Sequence, residues 1–274
     1  TSEGGNGYVK YGQTNQQAAG ANSFSDYGVR VAHKFNNYFA AKANYTFMKG
    51  TDWYATNYNG INSVNGDEIV GMDRTNPNYN GINVYGDEVS TNIRGVGQGL
   101  AAAGLIPAST VNLLPNSNVS RTGYREVDLT DNVASNTKLD FSLHLRPFGN
   151  ENLEVIWQSK FGFGNAVYQG ANRYYLNNFF MQQHKLEFKG KNFFVRGYTT
   201  TEDGGNSYDM LFTGINVNRK WKDDRTWFGQ YAGAYIQSTL AGATPAVAHQ
   251  NARNTADTGR LIPGTDAFKT AFNQ

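Results

Sequence analysis

The chain contains no cysteine, which excludes both a disulfide scaffold and a thiolate metal site. It has no run of about 18 or more consecutive apolar residues, so no transmembrane helix is expected. Neither sign of charge dominates: 24 Lys+Arg against 22 Asp+Glu leave +2, and no electrostatic footprint for nucleic acid. Apolar residues make up only 39% of the chain and mean hydropathy is −0.57. The motifs of common enzymes are missing too. There is no Gly-rich phosphate loop, no Gly-x-Ser-x-Gly elbow and no His pair at metal spacing, and His33, His144, His184 and His249 are scattered singly. The chain is therefore expected not to be an enzyme. None of these absences excludes a membrane β-barrel, whose strands need only about 9 to 11 residues and alternate in polarity.

What is abundant points the same way. Aromatics reach 14% and glycine 31 residues, a composition of strands and turns rather than of long helices. In "TKLDFSLHLRPF", Leu139, Phe141, Leu143 and Leu145 alternate with Lys138, Asp140, Ser142, His144 and Arg146. After the turn "RPFGNEN", "LEVIWQSKFGF" sets Leu153, Val155, Trp157, Phe161 and Phe163 against Glu154, Gln158 and Lys160, so a hairpin is expected. A second hairpin joins "DYGVRVAHKF" to "YFAAKANYTF" through a two-residue turn at Asn36 and Asn37, where asparagine tolerates positive φ. A third runs from "FMQQHKLEF" to "FFVRGYTT", and "GYVKYGQ" is one further strand.

Alternation alone suits a soluble sandwich equally well. Loop lengths separate the two. Connections at one end are minimal, whereas residues 49–133, 164–179 and everything after Thr200 lie at the other end, the asymmetry of an outer-membrane barrel with tight periplasmic turns and long extracellular loops. Phe35, Phe39, Phe148, Phe188 and Phe193 sit near the short turns, and Tyr45, Phe47, Trp53, Phe161, Phe163 and Phe180 near the long loops, as two interfacial girdles require. Lys42, Lys138, Asp140, His144, Arg146, Glu154, Lys160, Lys185, Glu187 and Arg196 fall on the face expected to line a barrel interior. Six or seven strands cannot close a membrane barrel, so these belong to a larger one. The domain expectation is thus barrel hairpins over residues 1–205, with a long external loop at 49–133, and a mainly helical extracellular excursion over 206–274. Within the excursion, helical spacing in 208–218 and 227–240 competes with a reading of both as strands; Thr244, Pro245 and Gly259 bracket another helix, and Thr265 caps a last one. In the long loop "VGQGLAAAGLIP" reads as a short helical turn.

That loop also says one thing twice: "YNGINSVNGDEIV" from Tyr58 and "YNGINVYGDEVS" from Tyr79, the second copy one residue shorter between its two parts. Such slack is unlike a solenoid period. Asp67, Glu68, Asp87 and Glu88 are candidate oxygen ligands for calcium, against the alternative of ordinary turn sequence. Trp53, Tyr54, Tyr58, Tyr79 and Tyr85 are candidate aromatic walls of a ligand-binding mouth.

The segments "SRTGYREVDLTD", "RPFGNENLEVIWQSKFGFGNAVYQGANRYYLNNFFMQQHKLEFKGKNFFVRGYTT", "TEDGGNSYD", "ATPAVAHQNAR" and "ADTGRLIPGT" resemble the barrel portion of TonB-dependent outer-membrane receptors of the Bacteroidetes type. The resemblance implies an all-β fold, an antiparallel up-and-down transmembrane β-barrel of about 22 strands of which this sequence is the N-terminal part, and energy-coupled import of a bound ligand. It also implies outer-membrane lipid and lipopolysaccharide as surroundings, a plug and a TonB-contact segment before Thr1 through which the TonB complex acts, and a surface lipoprotein partner. A passive porin-like channel and a surface adhesin or scaffold are the alternatives that strand periodicity leaves open.

Overall fold

The computed structural model describes residues 3–16, 18 and 20–274. In chain order, β1 (Gly4–Gln16), β2 (Gly20–Lys34) and β3 (Phe39–Thr51) come first. An insertion follows, with short strands β4 (Gly60–Ile61), β5 (Glu68–Ile69), β6 (Val84–Tyr85) and β7 (Ser90–Asn92), helix α1 (Ile93–Ala102), a 3-10 turn at Ala108–Leu113, β8 (Asn118–Ser120), β9 (Tyr124–Arg125) and the one-turn helix α2 (Glu126–Leu129). Long strands resume as β10 (Val133–Leu145), β11 (Leu153–Gln169), β12 (Arg173–Gly190) and β13 (Phe194–Asp203), then the short β14 (Tyr208–Asp209). Helices α3 (Met210–Trp221), α4 (Asp224–Leu240), α5 (Pro245–Ala256) and α6 (Asp266–Phe272) end the chain.

Two compact units result: Thr1–Tyr54 with Asp131–Asp209, and Ala55–Thr130 with Met210–Gln274. The C-terminal part of the second unit begins at Met210. The insertion, however, joins the C-terminal helices in one unit instead of standing as a separate loop.

The first unit is one antiparallel sheet in the order β1-β2-β3-β10-β11-β12-β13, with β14 added beside β12. Nearly every link is a hairpin between consecutive strands, and β3 meets β10 across the whole insertion, Thr137 opposite Phe47 and Leu145 opposite Phe39. The sheet has eight strands and is open, not a closed barrel and not 22 strands; with six helices alongside, the described chain is mixed α and β rather than all-β. Register keeps the two faces apart. Leu139 lies opposite Tyr45 and Phe161, Leu143 opposite Ala41 and Trp157, and Leu145 opposite Val155, which faces Phe188, itself opposite Val195. Asp140 lies opposite Asn44 and Lys160, and Glu187 opposite Arg196. Because residues directly opposite share a face, one face is apolar and the other charged.

The charged face is in part internally paired. Asn44 donates to Asp140 at 2.6 Å, His144 pairs with Glu154 at 2.8 Å, and Glu187 accepts from Lys185 at 3.1 Å and Arg196 at 2.8 Å. The apolar face is uncovered: Val31 is 55% exposed, Leu145 47%, Trp157 45% and Phe188 41%. Ser159 and His184 interrupt it as a mutually bonded pair at 2.8 Å.

The turns correct one expectation. The β2–β3 connection spans 35–38, and its asparagines do not adopt positive φ. Asn36 acts through its side chain, whose Oδ1 accepts from the N–H groups of Tyr38 at 2.8 Å and Phe39 at 2.9 Å, a turn closed by an asparagine side chain instead of a left-handed backbone. Residues 164–179 are also no loop, since β11 and β12 continue past a bulge at Gly164/Ala166 to a tight turn after Gln169.

Tyr208–Asp209 are β14 of the first unit, and 210–218 and 227–240 of the second unit are helical. Trp227, Tyr231 and Tyr235 recur every fourth residue on α4, Ala248, Ala252 and Ala256 do so on α5, and all six are buried in one cluster with Ile93, Leu114 and Val119 of the insertion. The large stripe needs the small one, because alanines let the helix backbones approach the rings. Asp223 caps α4 by accepting from Thr226 N–H at 2.8 Å, and Thr265 caps α6. Among the described residues no helix is long and apolar enough to cross a membrane.

Candidate functional site

The repeat builds the floor of the site. The two copies pair with each other, antiparallel, through a bridge between Gly60 and Gly81, which hold the same position in each copy. Around it Ile61 N–H donates to Asn80 O at 2.7 Å and Ile82 N–H to Asn59 O at 2.9 Å, two bonds related by a local twofold axis. Glycine is required at both centres: a Cβ on Gly60 would lie 2.3 Å from the Met72 sulfur, and one on Gly81 2.4 Å from the Tyr79 hydroxyl. The Tyr79 hydroxyl donates to Tyr58 O and locks the pair.

Beyond this bridge the copies diverge. In the first, "SVN" makes a β4–β5 hairpin with Gly66 at φ +77°, leaving Asp67 and Glu68 exposed. In the second, Val84 and Tyr85 form β6 and pair with β9, and Asp87 is buried at 1% exposure. Its Oδ2 accepts from Gly81 N–H at 2.9 Å, while Oδ1 has no hydrogen-bond partner among the described residues. Burial, with the charge of Glu88 beside it, pushes the Asp87 carboxyl well above the usual carboxylate range. Among the described residues no group of three or more acidic, histidine or cysteine side chains is placed to hold a metal ion. The four calcium candidates are thus not gathered into a site: one pair is on an exposed hairpin and Asp87 is a buried structural group.

Above the repeat lies a cavity of ≈ 740 Å³ within the second unit. Tyr58, Tyr79, Val84, Ile262 and Pro263 supply aromatic and apolar wall, and Asp73, Arg74, Arg125, Asp128 and Arg260 supply charge. Of the five aromatic candidates, Tyr58 and Tyr79 are here. Tyr85 is buried, its hydroxyl on Glu126 at 3.1 Å. Trp53 and Tyr54 belong to the sheet unit, where the Arg173 guanidinium stacks 4.9 Å over Trp53 and the Tyr54 hydroxyl donates to Asp131 O at 3.2 Å.

The charged wall has one uncommitted part. Arg125 is bidentate to Asp128 at 3.2 and 3.1 Å, which raises its pKa. Asp73 accepts from the hydroxyl of Thr75 at 2.6 Å and its N–H at 2.8 Å, bonds that hold it below the usual carboxylate range. Arg74 and Arg260 instead converge on one carbonyl oxygen, that of Gly123, each giving it a single Nη2–H at 3.1 and 2.7 Å. Gly123 must be glycine, since a Cβ would meet Tyr85 O at 2.7 Å and Asp87 N at 2.8 Å. Arg260 stacks 4.2 Å over Tyr124, and its buried Nε has no partner among the described residues. Burial lowers the Arg260 pKa; Tyr124 opposes the shift and the nearby Arg74 charge adds to it. Tyr124 is itself buried, its hydroxyl donating to Leu261 O at 3.1 Å, and burial pushes it up to about 12. Sequence reading missed all five charged residues, because Arg74 and Arg260 meet only when the insertion and the C-terminal helices fold together.

No family model, curated protein or solved structure matches the chain.

Proposed function

We propose that the sheet is a segment of an outer-membrane barrel and that the second unit recognises a ligand imported by TonB-coupled transport. The observation that carries this reading is the uncovered apolar face of a sheet whose other face is charged and in part internally paired. In water such a face costs about 25 cal/mol per Å² of apolar surface left exposed. In a bilayer the same face is solvated by acyl chains, and the paired charges line the interior. The strands, 13 to 18 residues long from β10 to β12, exceed the span of the hydrocarbon and carry the hairpins into the extracellular space. Stacked Phe35 and Phe39 at 5.3 Å, and Phe163 with Phe180 at 4.8 Å, fit two interfacial rows.

The absence of cysteine makes the test clean. Single cysteines at Leu139, Leu143, Lys138 and Gln158 are labelled with a pyrene maleimide in outer-membrane preparations and challenged with a bilayer-resident nitroxide lipid. Quenching at Leu139→Cys and Leu143→Cys but not at Lys138→Cys and Gln158→Cys is expected. Equal quenching at all four, or protection of the two leucine positions, refutes the barrel reading.

A further inference from the structure

We infer that the cavity over the repeat binds an organic acid through a single carboxylate bridging Arg74 and Arg260. This deepens the ligand-recognition half of the proposed function and does not depend on where the sheet resides.

The charge count selects the ligand. Three guanidiniums against two carboxylates leave one net positive charge in the wall. Arg125 and Asp128 cancel each other in their bidentate pair, so within the lining the excess belongs to Arg74 and Arg260, with Asp73 the one remaining carboxylate of the wall. A guanidinium offers five N–H donors, and among the described residues these two spend one each, on the same oxygen. Two like charges sharing one neutral acceptor repel. A carboxylate between them removes that repulsion and accepts N–H groups from both, the geometry for which arginine is suited. A dianionic phosphate would overfill a site whose net charge is one. The rest of the wall, Tyr58, Tyr79, Val84, Ile262 and Pro263, takes an apolar or ring-bearing body, and ≈ 740 Å³ is within the range of cavities that enclose a whole small molecule.

Benzoate, benzyl alcohol and phenyl phosphate probe the charge on a constant ring. Saturation-transfer NMR on the detergent-solubilised full chain measures binding of each. Benzoate is expected to bind at least about tenfold more tightly than benzyl alcohol and no more weakly than phenyl phosphate. Arg74→Gln is expected to weaken benzoate by about tenfold or more, and Arg74→Lys to restore part of it. Arg74 is exposed and Gly123 O keeps Arg260 as a donor, so the thermal unfolding midpoint, measured alongside, should move by no more than a few °C. Absence of benzoate binding, equal binding of benzyl alcohol, preference for phenyl phosphate, or benzoate binding unmoved by Arg74→Gln each overturns the inference. Benzoate binding in a protein whose cysteine-labelled strands are not quenched by lipid leaves this inference standing and refutes the barrel. Lipid quenching without benzoate binding does the reverse.

Discussion

Arg121 ties the insertion to the C-terminal helices. Its side chain is 1% exposed, its Nη1 lies 2.5 Å from Asp224 at the start of α4, and its Nη2 donates to Asn218 O on α3 at 3.3 Å. Trp221 and Trp227 cover it at 5.6 and 5.7 Å. Arg121→Met keeps the apolar stem and removes the charge. Asn218 O then loses a donor, about 1 kcal/mol, and two cation–π contacts go at about 0.5 to 1 kcal/mol each. Breaking a buried pair from one side costs about 3 to 5 kcal/mol in general. Here Asp224 keeps Arg219 at 2.8 Å and is 29% exposed, so its share is nearer about 1 kcal/mol. Relief of the buried guanidinium, whose Nε has no hydrogen-bond partner among the described residues, offsets part of the loss. The net expectation is a destabilisation of about 2 kcal/mol, a fall of roughly 6 to 8 °C in midpoint for a unit of this size. Near-UV circular dichroism reports it, because Trp221 and Trp227 lie against the guanidinium. The far-UV transition of the sheet should stay in place. An unchanged or raised midpoint would refute the reasoning and mean that the Arg121 pair adds nothing to the packing of the insertion on the C-terminal helices.

Other outcomes follow from the same geometry. The raised Asp87 pKa makes the second unit fully stable only below the unfolded-state value near pH 4; stability falls as pH rises through the folded value, by at most about 1.4 kcal/mol per pH unit. Asp87→Asn, which keeps an acceptor for Gly81 N–H, should abolish that slope in thermal melts and stabilise the unit at pH 8 but not at pH 4. Gly214→Ala drives a Cβ to 2.5 Å from Tyr85 O, where α3 touches the end of β6, and should cost about 1 to 3 kcal/mol in chemical denaturation. Ala252→Leu, which overpacks the alanine stripe against the Trp227–Tyr231–Tyr235 row, should lower stability by about as much, visible as a lower denaturant midpoint at constant slope.

Alternation in "TKLDFSLHLRPF" was enough to determine strand β10, its two faces and its hairpin with β11, because a period of two is a local property and each residue carries its own preference for water or oil. Helix α5 was legible from Thr244, Pro245 and Gly259 at its ends, whereas helical spacing in 227–240 left strands as an alternative until the fold placed Trp227, Tyr231 and Tyr235 on one buried face. Asn36 shows the limit even of local reading: the turn was placed correctly, but whether asparagine closes it by backbone or side chain depends on chain geometry. Only the tertiary structure decided the rest. Two nearly identical copies have opposite fates, Asp67 exposed on a hairpin and Asp87 buried beneath a cavity, because burial depends on what packs against a residue and not on its neighbours in sequence. Arg74 and Arg260 carry no motif. They become a site only because Gly123, with no Cβ, lets one carbonyl oxygen hold both, and because the insertion and the C-terminal helices bury their apolar stripes in each other.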